Sequence, residues 1–213
     1  MENIGDGVYH LPDIVGGPTI LAGETVVLVD TGVPGAEAAI LAAVEEIGRS
    51  TGEITDIVIT HADGDHIGSL SALVEQTGAT VWAGEPEADV LEGKVASRGG
   101  ETKHTAGVAR RFAPGETLPL HGGIETVDSH GHTTGHVSLF LPGARILIAG
   151  DAINNREGLG GSPPQNTANA EDAHAAVSTL AALQPDSIVF GHGPSIVGGA
   201  AAQLDGLDRS DAM

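Results

Sequence analysis

The chain contains no cysteine. Disulfides are thereby excluded, as are a thiol nucleophile and any thiolate-ligated metal site. Lysine is almost missing too: Lys94 and Lys103 are the two present, and 9 basic residues face 29 acidic ones. A formal charge of -20 repels phosphate backbones and anionic lipid, so neither nucleic acid nor a membrane is expected as a partner. No run of ~18 apolar residues is present that could span a bilayer. The opening residues, Met1 to Asp6, lack the basic and apolar regions of a secretion signal, and a cytoplasmic location is expected.

What remains is enough for a folded protein. With 213 residues, 40% of them hydrophobic, the chain can bury a full core, and one domain over residues 1–213 is expected. Acidic excess accompanies disorder in many chains, but clear apolar periodicity argues against it here. Two readings of the charge stand: adaptation to high salt, where the Debye length falls to ~3 Å at 1 M, or an ordinary acidic surface.

The periodicity alternates strand and helix. Val8 to Leu11 and Thr19 to Leu21 read as short strands around the turn Gly16-Gly17-Pro18. Thr25 to Val29 reads as a buried strand ending at Asp30. A helix is expected from Pro34 to Arg49, with Ile40, Leu41, Val44 and Ile47 on one face. Asp56 to Thr60 is a strand, Leu70 to Thr77 a helix stopped by Gly78, and Ala79 to Trp82 a further strand. Glu85 to Val95 reads as a helix, followed by a loop over Ser97 to Glu101. The order β-α-β-α-β predicts an α/β protein with helices packed on sheet.

Between the strand 56–60 and the helix 70–77 lies the densest chemistry in the chain, His61-Ala62-Asp63-Gly64-Asp65-His66. Four side chains able to bind metal fall within six residues, on a strand-to-helix turn that can aim them at one point. Imidazole with carboxylate suits zinc, iron or manganese. A polar turn with histidine capping nearby is the competing reading, and the density of ligand types weighs against it.

The second half echoes the first. Arg145 to Gly150 reads as a strand ending at Asp151; a helix follows from Asn169, and Ser187 to Phe190 is a strand leading to His192. Each half thus places an Asp and a His at strand C-terminal ends, where ligand sites in α/β sheets collect. Between them, after the strand Ile124 to Val127, His130, His132 and His136 offer further ligands.

Taken together, Asp30, His61-Ala62-Asp63-Gly64-Asp65-His66, His132, Asp151 and His192 resemble the five motifs of the metallo-β-lactamase fold superfamily, in order, across residues 8–197. The resemblance implies a four-layer αβ/βα sandwich: two mixed β-sheets flanked by helices, with a dinuclear site at one edge. It implies two divalent ions, zinc in the first place with iron or manganese as alternatives. His61 and His132 would hold one ion, with Asp63 in the position where the family usually has His. Asp65, His66 and His192 would hold the other. Asp151 would bridge them, and Asp30 would accept hydrogen bonds behind them. His130 stays open as an alternative ligand to His132, and His136 reads as structural. His10, His104, His121 and His174 read as surface or ordinary polar positions. Arg98, Lys103, Arg110 and Arg111 form either a patch for an anionic substrate or, the favoured reading, a solvated surface.

The implied chemistry is hydrolysis by a metal-bridging hydroxide, oriented by Asp65 as the catalytic carboxylate, on a small-molecule ester, thioester or lactone. The one tyrosine is Tyr9, so no phenol is evident of the kind found beside the metals in family lactonases. A mononuclear iron sulfur dioxygenase and an inactive metal-binding member are the alternatives, since fold does not fix function. A small-molecule substrate is the expected partner, and a homodimer is left open.

Overall fold

The computed structural model describes residues 1–97 and 107–211; Arg98, Lys103 and His104 lie outside the described residues, as does most of the loop expected over 97–101. Two sheets form the centre. The first has seven strands in sequence order: β1 (Glu2–Gly5), β2 (Val8–His10), β3 (Thr19–Ala22), β4 (Val26–Val29), β5 (Ile54–Ile59), β6 (Thr80–Gly84) and β7 (Arg110–Phe112). β1 to β4 run antiparallel; β4 to β7 run parallel, joined by helices. Those helices are α1 (Glu37–Glu46), the single turn α2 (Gly64–Ile67), α3 (Leu70–Thr77) and α4 (Glu85–Leu91).

The second sheet has five strands. β8 (Thr117–Leu118), β9 (Ile124–Asp128), β10 (Val137–Leu141) and β11 (Ile146–Ile148) run antiparallel. A ribbon of β12 (Ile153–Asn154) and β13 (Gly160–Gly161) and the helix α5 (Ala170–Ala182) follow. β14 (Ser187–Val189) then returns to pair parallel with β11, and α6 (Ala200–Asp211) closes the described chain.

Side-chain alternation along the strands builds the layers. In β4, Val27 and Val29 point between the sheets while Val26 and Leu28 point at the helices; in β5, Val58 takes the first direction and Ile57 and Ile59 the second. Ile40, Val44, Leu70, Leu73 and Leu91 cover the outer face of the first sheet. Leu139, Leu141, Ile146, Ile148 and Val189 of the second sheet meet Val8, Leu21, Val27 and Val29 across the middle. Leu147, Ile188 and Phe190 face outward onto Val177, Leu180 and Leu204. The result is helices, sheet, sheet, helices: the expected four-layer αβ/βα sandwich. Because both faces of the central strands are buried, they read as continuous apolar runs rather than alternating ones.

Two helices are shorter than expected. α1 starts at Glu37, not Pro34, because the chain is still turning at Gly35, with φ of 89°, and the Ala36 N–H donates to Ser69 Oγ (2.9 Å). Gly48, with φ of 78°, stops it before Arg49. α4 ends at Leu91 rather than Val95, because Gly93 turns left-handed and the N–H groups of Gly93 and Lys94 return to Val90 and Asp89 carbonyls. Among the described residues, no helix is long and apolar enough to cross a membrane.

Candidate metal centre

The parallel pairs β4/β5 and β11/β14 each deliver two chain ends to the same edge of the sandwich. Asp30 follows β4 and His61 follows β5; Asp151 follows β11 and His192 follows β14. The echo between halves is therefore spatial as well as sequential. α2 adds Asp65 and His66, and the connection from β9 to β10 adds His132.

Asp30 is the anchor of this edge. Its backbone takes a left-handed φ of 57°, which Asp tolerates better than most residues. Oδ1 then accepts the Thr60 N–H (2.8 Å), and Oδ2 accepts both the Thr60 hydroxyl (2.7 Å) and His66 Nδ1–H (2.8 Å). With its proton committed to Asp30, the Thr60 hydroxyl accepts from His61 Nδ1 (3.0 Å). Both imidazoles are thereby set to donate from Nδ1, with Nε2 turned inward.

The inward atoms converge. His66 Nε2 lies 3.2 Å from Asp151 Oδ1, and His192 Nε2 lies 3.2 Å from Asp151 Oδ2 and 3.3 Å from Asp65 Oδ2. His132 Nε2 lies 3.6 Å from Asp151 Oδ2 and 3.2 Å from Asp63 Oδ2, which in turn is 3.8 Å from His61 Nε2. The ring of His132 is held from behind by Ser162 Oγ, 3.0 Å from Nδ1. Close backbone approach is needed: a Cβ on Gly191 would fall 2.2 Å from Asp151 Oδ1 and 2.6 Å from His66 Cε1.

Burial and charge oppose each other here. Burial, reinforced by neighbouring imidazoles, drives the pKa of His61 far below its ordinary value, so it is a neutral donor. Burial also disfavours charge on His66, but the Asp151 and Asp30 carboxylates outweigh it and raise its pKa well above the ordinary value. The same reversal lowers Asp151 and raises His192, whose partners are Asp151 and Asp65. Asp65 is held down by its hydrogen bond from His192.

Do these donors fit a cation? Among the described residues, His61 Nε2, His66 Nε2 and Asp151 Oδ1 are buried and make no well-aligned hydrogen bond, despite the close approach of the last two, an expensive state for three polar atoms facing one space. Donor atoms of His61, His132 and Asp151 lie within 4.8 Å of one another, and so do those of Asp65, His66 and His192. The donor chemistry is two imidazoles and a carboxylate in each cluster. The fit is good for divalent transition metals.

The structure thus brings His61, Asp63, Asp65, His66, His132, Asp151 and His192 to one edge, with Asp30 behind them. His130 does not join: its ring turns to Asp128 (2.7 Å) and Asp172 (3.5 Å). His136 is structural in its contacts, with Nε2 accepting the Asp151 N–H (3.0 Å) and Nδ1 beside Ser129 Oγ (2.9 Å). His10 corrects an expectation. It is fully buried, its Nε2 bonded to the Phe190 carbonyl (2.9 Å) and its Nδ1 to Ser195 Oγ (2.7 Å), at the turn that presents His192. A lone His beside apolar neighbours on β2 carries no sequence mark of that role. Arg111 belongs to an ion-pair group with Glu85, Asp89 and Glu92, which leaves the solvated reading of the basic residues in place for it. Glu87 went unnoticed in the sequence; it lies on the buried stripe of α4 with Ala88 and Leu91, and an acid in that stripe is the available signal.

Comparison with known proteins agrees with this geometry. The pattern that defines the family described as "Metallo-beta-lactamase superfamily" matches residues 19–192. The Bacillus subtilis protein named "Probable metallo-hydrolase YflN" is 26% identical over 202 residues, covering 81% of this chain and 76% of its own. A hydroxyacylglutathione hydrolase of Jannaschia is 32% identical over 149 residues, covering 67% of this chain and 49% of its own. In three dimensions, a metallo-beta-lactamase family protein of Thermus thermophilus superposes with a TM-score of 0.77 at 19% identity, over 99% of this chain and 81% of that one.

Proposed function

Since the chain belongs to the metallo-β-lactamase superfamily, we propose that it is a dinuclear metallo-hydrolase acting on a small-molecule ester, thioester or lactone. The observation that carries the reading is Asp151. One carboxylate presents Oδ1 to His66 and Oδ2 to both His192 and His132, so it belongs to both donor clusters at once. His61, Asp63 and His132 would hold one ion, and Asp65, His66 and His192 the other, with zinc favoured by the imidazole share and iron or manganese as alternatives.

When bound, such ions supply Lewis acidity and a water acidic enough to attack at neutral pH. The chain's own residues do the rest. Asp30 and Thr60 hold Nδ1–H of His66 and His61, so that Nε2 of each faces the site, where the proton that the carboxylates favour on His66 would give way to a bound cation. His136 receives the Asp151 N–H and so holds the backbone from which that carboxylate projects. Asp65, half-buried like Asp63 and His192, stands at the mouth with an ionised carboxylate; it is placed to orient the attacking water and take up its proton. The hydroxyacylglutathione hydrolase likeness favours a thioester among the substrate classes.

The test is elemental analysis of protein purified without added metal, followed on the same sample by ester, thioester and lactone panels. Two zinc ions per chain with turnover on one panel is the expected result. One iron per chain with oxygen uptake would instead favour a mononuclear dioxygenase, and bound metal without turnover on any panel would mark an inactive member.

A further inference from the structure

The loops that carry His61 with Asp63 and His132 come from different sheets, and something must set the distance between them. One tie is backbone: the Val137 N–H donates to the Thr60 carbonyl (3.1 Å). Among the described residues, no backbone hydrogen bond joins these loops on the other side of His61. Glu87 fills that place. Its side chain projects from α4 between the two loops, and the residue is 3% exposed. Oε2 accepts the Ala62 N–H (2.8 Å) of the first loop; Oε1 accepts the Thr133 hydroxyl (2.6 Å) and the Gly135 N–H (3.1 Å) of the second. All three partners donate, which suits an ionised carboxylate. The fit is tight, for a Cβ on Gly135 would fall 2.9 Å from Glu87 Oε1 and 2.6 Å from Pro86 Cβ.

We propose that Glu87 is a positioning residue that clamps these two loops together and thereby sets the affinity of one metal position, the one lined by His61, Asp63 and His132. The inference rests on the dinuclear reading above. The three groups that Glu87 binds are two backbone N–H groups and the Thr133 hydroxyl, not the donor side chains themselves. Glu87 bonds to the residue between His61 and Asp63 on one side and to the residue after His132 on the other. The position lined by Asp65, His66 and His192 is tied down separately, because Asp30 and the Thr31 N–H hold His66 and the turn after β14 supplies His192. A generic packing role would not distinguish the two.

Glu87→Gln keeps the shape but sets an amide N–H against the Ala62 N–H, or against the other two donors. Thr133→Val removes one arm alone. Metal-free wild type and both variants are titrated with cobalt(II), reading visible absorption and heat, while His132→Ala and His192→Ala show which signal belongs to which position. In Glu87→Gln, affinity at the His61/His132 position is expected to fall about 10–100-fold, the range for a lost partner behind a ligand. Affinity at the other position stays within about twofold. Thr133→Val shows a smaller loss at the same position and guards against misfolding of the first variant. Equal weakening of both positions, or none at either, in a wild type that takes up two ions overturns the clamp alone. A wild type that takes up fewer than two ions overturns the dinuclear reading, and the clamp with it.

Discussion

Asp63 Oδ2 stands 3.2 Å from His132 Nε2, across 69 residues of sequence and from one sheet's loop to the other's. On the proposed reading, this oxygen stands where the resemblance to the superfamily leads one to expect imidazole. With Asp65 and Asp151, it makes three carboxylates at the centre.

The first prediction follows from that charge. Asp63→His should bind zinc more tightly, by about tenfold or ~1.4 kcal/mol, because imidazole is the softer ligand. A more positive centre also acidifies water more strongly, so the acidic limb of kcat/KM should move down by about one pH unit. Zinc calorimetry and a pH–rate profile check both. Unchanged values would remove Asp63 from the ligand set.

Asp151→Ala should act on both positions. Each loses a donor, and affinity should fall by at least the ~10–100-fold known for losing a mere outer partner. Stoichiometry by elemental analysis should drop below two, with turnover near background. Two tightly held ions and unchanged turnover would refute the bridge.

His10 gives a pH prediction. Burial lowers its pKa below the ordinary value of 6.5, against the pull of Glu2. The unfolded chain therefore takes up a proton that the folded chain refuses, and the stability this group contributes is complete above 6.5 and is lost as pH falls toward the folded pKa. Wild type should exceed His10→Gln by about 1–3 kcal/mol at neutral pH, from two buried hydrogen bonds. That margin should shrink on going from about pH 8 to pH 5 in denaturant melts. A margin that grows in acid would reverse the assignment.

The acidic surface makes a prediction of its own. If it serves life in high salt, thermal midpoints in molar KCl should exceed those in dilute buffer, by ~2–4 °C for each kcal/mol gained in a chain of this size. Metal must be held constant, because bound ligand stabilises by mass action. A flat or falling midpoint would mark an ordinary acidic surface.

Most of the edge was legible because its residues announce themselves. His61, Asp63, Asp65 and His66 are dense, and Asp30, Asp151 and His192 each terminate a plain apolar strand. The supports were not. Glu87 looks like one more acid in an acidic chain until α4 is known to turn it inward. His10 meets Phe190 and Ser195 only once β2 is folded against the far end of the chain. β1, β7 and β10 escaped notice for different reasons. Arg110-Arg111-Phe112 is short and charged, Glu2 to Gly5 has a single buried side chain, and Val137 to Leu141 is buried throughout and so lacks alternation.

The placement of donors at strand exits also has a consequence in time. A chain emerging from the ribosome delivers His61, His132 and Asp151 before β14 exists, whereas the cluster of Asp65 and His66 waits for His192. At roughly 5–20 residues per second the lag is a matter of seconds. On the dinuclear reading, the first donor cluster is complete in sequence while the second still lacks His192.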